Sequence, residues 1–318
     1  MKQFISVKDV TDLDELVNEA LALKENPFEF ETLGKGKTIG LVFLNSSLRT
    51  RMSSQKAAQN LGMEVMVLNA GQDAWNWEFE EGAIMNGTTV EHIKDAARVV
   101  SEYCDIIGIR CFAGLKNKEE DVQEKTLSLF MKHATVPVVS LESATLHPLQ
   151  SLADCITIAE HPVTKPKPKV VLTWAPHIKS IPHAVANSFS EWMQASDVDF
   201  VITHPKGYEL DEKYTQNAVV TTNQEEALKD ADFVYVKNWS SFNDYGKIIP
   251  IEEDWLLTNK KLEVTNAAKI MHCLPVRRNV ELSDEILDGP NSLVTQEASN
   301  RVWAAQAVLA EILKAINI

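Results

Sequence analysis

Eight short apolar runs constrain this chain more than any other feature: 38–44, 65–68, 106–109 and 136–141 in the first half, and 170–173, 200–203, 233–236 and 269–272 in the second. Each has the length of a strand and little polar alternation, the pattern of strands buried on both faces of a parallel sheet. Helical spacing lies between them. Leu13, Leu16, Val17, Ala20 and Leu21 share one face of a helix predicted over 11–24, with Thr11 and Asp14 as its capping box. Further helices are predicted over 121–133, 188–195 and 223–229, and another ends near Gly62. Strands alternating with helices make a layered α/β structure, and 318 residues suffice for about two domains, each with its own core. The Pro-rich segment 161–168 is either the linker or a surface loop before the second domain's first strand. The stretch 301–316 is apolar on most sides and reads as a docking helix that opens at Arg301.

Composition excludes several classes. With 45% hydrophobic and 24% charged residues, the chain is an ordinary globular sequence and not a disordered one. A net charge of -14 opposes non-specific attraction to nucleic acid or to an anionic membrane, while a local basic pocket for a small anion stays open. The start, MKQFISVKDVTDLDEL, turns acidic before any apolar stretch develops, and no run approaches the ~18 apolar residues of a membrane span, so a cytoplasmic location is expected. Cys104, Cys111, Cys155 and Cys273 are far apart, with no CxxC and no His at ligand spacing; free thiols and no metal site are expected. There is no Walker A sequence, and the run 170–173 leads into Trp174-Ala175-Pro176-His177 instead of a Gly-rich turn, so no dinucleotide cofactor is expected.

In open parallel sheets the ligand lies beyond the carboxyl ends of the strands. Four polar clusters follow predicted strands. Asn45-Ser46-Ser47-Leu48-Arg49-Thr50-Arg51 sits between a strand and a helix, where helix-start N–H groups, hydroxyls and guanidinium make an anion cradle; the alternative is a capped helix with solvated arginines. Arg110 ends the run 106–109, a position where an arginine is more often a surface or salt-bridged residue than a functional one. Glu142 and His147-Pro148-Leu149-Gln150 mark another strand-to-helix junction, where His147 can polarise a carbonyl oxygen and Gln150 can read an amide, unless the His is structural. In His272-Cys273-Leu274-Pro275-Val276-Arg277-Arg278, the neighbouring His272 and Arg277 make a thiol nucleophile conceivable. Alternatively, Pro275 holds Leu274 extended and leaves carbonyls to accept from an amide.

Ser47-Leu48-Arg49-Thr50-Arg51, His147-Pro148-Leu149-Gln150 and His272-Cys273-Leu274-Pro275, in this order and spacing, resemble the aspartate/ornithine carbamoyltransferase family over essentially the whole chain. The resemblance implies two doubly wound parallel-sheet domains, at 1–148 and 149–300, with the C-terminal helix 301–318 packing back on the first. It also implies a homotrimer with shared active sites. Ser47, Leu48, Arg49 and Thr50 would cradle the phosphate, Arg110 would bridge phosphate and carbonyl, and His147, Pro148, Leu149 and Gln150 would hold the carbamoyl group. Carbonyls near Cys273 and Leu274 would accept from its amide, and Arg301 would join the carbamoyl-phosphate site. Arg49, Thr50, Arg110 and His147 would be catalytic, with no cofactor or metal.

The chain has the His-Cys-Leu-Pro sequence but lacks a Ser-Met-Gly loop, and so looks most like the branch acting on N-acylated ornithine. That branch implies Trp75, in Asp73-Ala74-Trp75, donating to phosphate across a subunit interface, and Glu142, His177, Lys237, Leu274 and Arg277 around the N-acylornithine. Its N-acetyl enzymes usually carry Glu at the position of Val90 and its N-succinyl enzymes Pro; a neutral, compact Val90 favours the succinyl compound, whose extra carboxylate Glu would repel. The rivals are a family member using another amine and a silent binding protein.

Overall fold

The computed structural model describes residues 1–252 and 254–316. They divide into two compact units, Met1–Leu149 with Arg301–Ile318, and Gln150–Asn300. The first unit holds α1 (Leu13–Glu25), β1 (Thr38–Phe43), α2 (Leu48–Asn60), β2 (Glu64–Asn69), the two-residue strands β3 (Trp77–Glu78) and β4 (Glu91–His92), α3 (Ile93–Tyr103), β5 (Ile106–Arg110), α4 (Lys118–Val122), α5 (Lys125–His133) and β6 (Val138–Glu142). The unit boundary falls inside α6 (Pro148–Ala159). The second unit follows with β7 (Lys169–Trp174), α7 (Ala184–Ala195), β8 (Asp199–Thr203), β9 (Val219–Thr221), α8 (Gln224–Leu228), β10 (Phe233–Lys237), α9 (Asn259–Leu262), β11 (Lys269–Met271), α10 (Asp284–Leu287) and the start of α11 (Val294–Ile316).

Both main sheets are parallel, in the orders β2-β1-β5-β6 and β11-β10-β7-β8-β9. In each, the chain winds first to one side of its opening strand and then to the other. The reversal falls between β1 and β5 in the first unit and between β7 and β10 in the second, which opens a crevice at the carboxyl ends of those strands. At the first reversal Phe43 pairs with Arg110, and Arg110 with Glu142 across a register shift that re-aims the strand end. At the second, Trp174 pairs with Lys237.

The apolar runs of β1, β5, β6, β7 and β10 are buried because the sheets are covered, whereas β2, at a sheet edge, is only half-buried and leaves Met66 exposed. In the first unit Val42, Ile107, Ile109, Ile93, Ala97 and Phe130 pack into one cluster, and in the second Val171, Val234, Val236, Leu228, Ile270 and Leu282 do so. Helix α2 stops where expected: Gly62 has φ +77, and a Cβ there would lie 2.1 Å from the Glu31 carbonyl oxygen.

Several expectations need correction. Helix α1 is capped by Asp12, whose carboxylate accepts from Glu15 N–H, and its buried face includes Leu23 while Leu13 and Leu21 are half-buried. The helix expected over 121–133 is two helices broken at Glu124, which has left-handed φ 53 and ψ 40. Helix α11 starts at Val294, so Arg301 lies two turns inside it; the extra turns were hidden because their polar residues Glu297 and Asn300 are buried, with Asn300 donating to Thr157 and Glu160. The segment 161–168 is a loop within the second unit, where Lys165 pairs with Asp232 at 2.6 Å.

From Arg301 onward α11 belongs to the first unit. Gln306 accepts from Asn60 at 2.8 Å and donates to the Pro27 carbonyl at 2.7 Å, Lys314 meets Glu19 at 2.6 Å, and Ala304, Ala307, Val308, Ile312 and Leu313 are buried. Among the described residues no helix is long and apolar enough to cross a membrane.

Candidate active site

In the first unit, Ser47 caps α2 from an extended backbone, its Oγ accepting from Thr50 N–H at 3.2 Å. The positive end of the helix and its first N–H groups thus lie just past β1, a natural seat for an anion. The Leu48 side chain is two-thirds exposed, so only its backbone is suited to phosphate. Thr50 is buried, and two guanidinium groups converge on its Oγ1: Arg301 Nη2 at 2.6 Å and Arg110 Nη1 at 3.4 Å. Arg110 also pairs with Glu142 and lies over the Phe112 ring, 4.3 Å from its centroid.

His147, 3% exposed, holds Nε2 at 3.2 Å from Glu142 Oε2. Burial, followed by the charges of Arg301 and Arg110, pushes its pKa well below the usual imidazole value. The ring is therefore neutral, and the contact is an Nε2–H donation to a carboxylate rather than an ion pair; Nδ1 is buried with no hydrogen-bond partner among the described residues. Glu142, expected beside the acylated amino acid, here orders Arg110 and His147. With Arg110 and Arg301 against Glu142 and beside a neutral His147, this centre carries net positive charge. It suits a phosphate dianion and a carbonyl oxygen that becomes negative.

The loop after β2 is tied to α2: Arg51 donates to Asn69 at 3.2 Å, and Asn69 donates through its N–H and side chain to Asp73. Trp75 is half exposed and its indole N–H donates to Glu91 of β4 at 2.8 Å, while Val90 is two-thirds exposed.

In the second unit, Lys237 ends β10, is 7% exposed and donates to Asn238 at 2.8 Å. His177, just past β7, accepts from Arg277 Nε at 3.2 Å. These residues surround one that sequence reasoning missed. Glu281 is 2% exposed, accepts from His272 Nε2 and from Arg277 N–H, each at 3.0 Å, and lies 3.6 Å from His177 Nε2. Burial alone would raise its pKa, but the His272 bond, the Lys237 charge and the Arg277 N–H hold it below the usual carboxylate range. Glu281 lies in a loop without periodicity, so no local signal marked it.

The turn after β11 is built by His272, whose Nδ1 accepts from Leu274 N–H at 2.9 Å. That bond curls the chain: Leu274 has φ 49 and is not the extended residue expected before Pro275. With both ring nitrogens engaged, by Leu274 and by Glu281, His272 is no base for Cys273, which removes the support for a thiol nucleophile. The backbone N–H of His272 donates to Glu297, and Gln150 commits its amide N–H groups to Glu297 at 3.0 Å and Asp154 at 2.8 Å. Cys104, Cys111, Cys155 and Cys273 are buried and in no disulfide, and no group of three or more candidate metal ligands occurs among the described residues.

The neutral imidazoles have a measurable consequence. His147 and His204 are both held below the usual value chiefly by burial, whereas in the unfolded chain they titrate near ~6.5. Below that pH the unfolded chain takes up protons that the fold refuses, so stability falls as pH drops through ~6.5 toward the folded values. Thermal melts should show a lower Tm at pH 5.5 than at pH 7.5, with a shallower fall in His204→Asn; an equal fall in that variant contradicts the assignment to His204.

Residues 2–160 match the family described as aspartate/ornithine carbamoyltransferase, carbamoyl-P binding domain, and residues 182–312 match its Asp/Orn binding domain. The N-succinylornithine carbamoyltransferase of Bacteroides fragilis (strain 638R) is 48% identical over 316 residues, covering 99% of each chain. The N-acetylornithine carbamoyltransferase of Xanthomonas campestris pv. campestris is 36% identical over 336 residues, covering 98% of each. Among solved structures, an N-acetyl-L-ornithine transcarbamylase variant with a glutamate replaced by valine, complexed with carbamyl phosphate and N-succinyl-L-norvaline, has a TM-score of 0.89 and 34% identity, covering 98% of this chain and 100% of that one.

Proposed function

This chain belongs to the aspartate/ornithine carbamoyltransferase family, and we propose that it transfers the carbamoyl group of carbamoyl phosphate to the side-chain amine of N-succinyl-L-ornithine, giving N-succinyl-L-citrulline and phosphate. The observation that carries the chemistry is the convergence of buried Arg110 and Arg301 on Thr50, beside a neutral His147, at the reversal point of the first sheet. Ser47, the backbone N–H groups of Leu48 and Arg49, and the Arg49 side chain hold the phosphate. Thr50, Arg110 and His147 face the carbonyl oxygen. The neutral amine attacks the carbonyl carbon, the C–N bond forms as the C–O bond to phosphate breaks, and the proton the amine loses passes to the departing phosphate. Negative charge on the oxygen meets fixed donors, and charge on the leaving phosphate meets arginine and the helix start. A buried lysine, an arginine and a histidine at Lys237, Arg277 and His177 match an acceptor with an extra carboxylate.

Preference for the succinyl over the acetyl compound is supported by the higher identity to the N-succinyl enzyme and by the uncharged Val90. Purified protein offered carbamoyl phosphate with ornithine, N-acetylornithine and N-succinylornithine side by side should carbamoylate the succinyl compound best. Preference for N-acetylornithine overturns the acceptor, and no product from any overturns transfer. Placing a carboxylate in the loop with Val90→Glu should lower kcat/KM for the succinyl compound at least 10-fold, since repulsion of ~1.4 kcal/mol is a factor of ten. An unchanged value would separate Val90 from acceptor choice.

The proposal includes a homotrimer, a cytoplasmic location and a place in arginine biosynthesis. The exposed Leu48, Met52, Met66, Trp75 and Ile84 of the first unit support association, and Trp75 would exchange Glu91 for a neighbour's phosphate. Analytical ultracentrifugation should give three chain masses; a monomer contradicts the trimer.

A further inference from the structure

We propose that Glu124 is a positioning residue for His147, holding the loop that delivers this imidazole to the carbamoyl group; the inference rests on the carbamoyl-phosphate reading above. Glu124 is where the expected single helix breaks. Its left-handed backbone is uncommon for a residue with a side chain, and although it stands at the N-cap of α5, that side chain makes no capping bond to the helix. It turns instead to the loop between β6 and α6. Its Oε1 accepts from Thr145 N–H at 2.7 Å, from Thr145 Oγ1 at 2.6 Å and from Ser143 Oγ, and its Oε2 accepts from Ala144 N–H at 3.1 Å.

Those residues connect Glu142, the partner of Arg110, to His147. Ser143 and Thr145 are buried, and the loop closes on itself through Ser143 N–H to the Leu146 carbonyl at 2.8 Å and Leu146 N–H to Ser143 Oγ at 3.2 Å. Backbone N–H groups only donate, so both carboxylate oxygens are needed; an amide in place of the carboxylate turns an NH₂ toward a donor. The carboxylate therefore sets the position of His147 relative to Arg110 without touching substrate. A shift of ~1 Å in such a group costs up to about 100-fold in rate.

The test is steady-state kinetics of Glu124→Gln and Thr145→Val beside the wild-type protein, with carbamoyl phosphate and the acylornithine varied separately. In Glu124→Gln, kcat/KM for carbamoyl phosphate should fall roughly 10- to 100-fold while KM for the acylornithine stays within about twofold. Thr145→Val, which removes one donor, should show the same pattern with a smaller fall, and decides the matter if Glu124→Gln does not fold. Unchanged kcat/KM for carbamoyl phosphate in the folded variants, or a KM for the acylornithine that rises well beyond about twofold, overturns the inference alone. Absence of product from the wild-type protein overturns the function reading and this inference with it.

Discussion

Arg110→Met should reduce kcat by at least ~10³-fold, because it deletes a donor to the developing oxyanion and a positive charge beside the leaving phosphate at once. Loss of one such donor alone costs roughly 10²- to 10³-fold. The substitution also breaks a buried pair: Arg110 and Glu142 are each less than a tenth exposed, and removing one partner strands the other, at about 3 kcal/mol. The two effects are separable. In Arg110→Met with Glu142→Gln the stranded charge is gone, so thermal stability should recover while activity stays lost. Recovery of turnover in the double variant would mean that Arg110 acts only as a structural counter-ion. Arg49→Ala should likewise abolish turnover with the fold intact, and wild-type rates in either arginine variant would remove the phosphate cradle from the mechanism.

Glu281→Gln should weaken the acceptor side while sparing carbamoyl phosphate. The carboxylate organises His272, the Arg277 backbone and, through charge, Lys237, and lies beside His177; a neutral amide keeps one acceptor oxygen and loses the charge. KM for the acylornithine should rise at least 10-fold, with KM for carbamoyl phosphate within about twofold. Because the folded pKa of Glu281 lies below its unfolded value, the carboxylate contributes stability above about pH 4.5 that is lost as pH falls through the folded value. In Glu281→Gln that acid-dependent loss should be smaller in a pH series of urea unfolding midpoints. A rise in both KM values would make Glu281 a residue of general stability rather than of the acceptor site.

The positions of Arg49, Thr50, Arg110 and His147 at strand ends and helix starts were legible because apolar runs end there, and parallel sheets place ligands at such junctions. Lys237 and His177 follow the same logic at the second sheet. The partners of these residues were not legible. Glu124 sits in the polar stretch 123–126, which holds no Gly or Pro to mark a break, so the sequence pointed to one helix, and only the four donors of the loop at 143–145 account for the break. The start of α11 was missed for a related reason, since Glu297 and Asn300 are polar yet buried and so erase the apolar stripe that marks a helix.

The sequence by itself determined the two α/β units, most of their strands and the chemical types at the strand ends, because these follow from local spacing and burial preference. Tertiary structure decided which charged groups face each other: Glu142 on Arg110 and His147, Arg301 on Thr50 across 251 positions, Glu281 on His272, and the neutral state of His147. Those pairings depend on distance and on the exclusion of water, which no local pattern records, and it is burial beside two guanidinium groups that keeps an ordinary histidine uncharged.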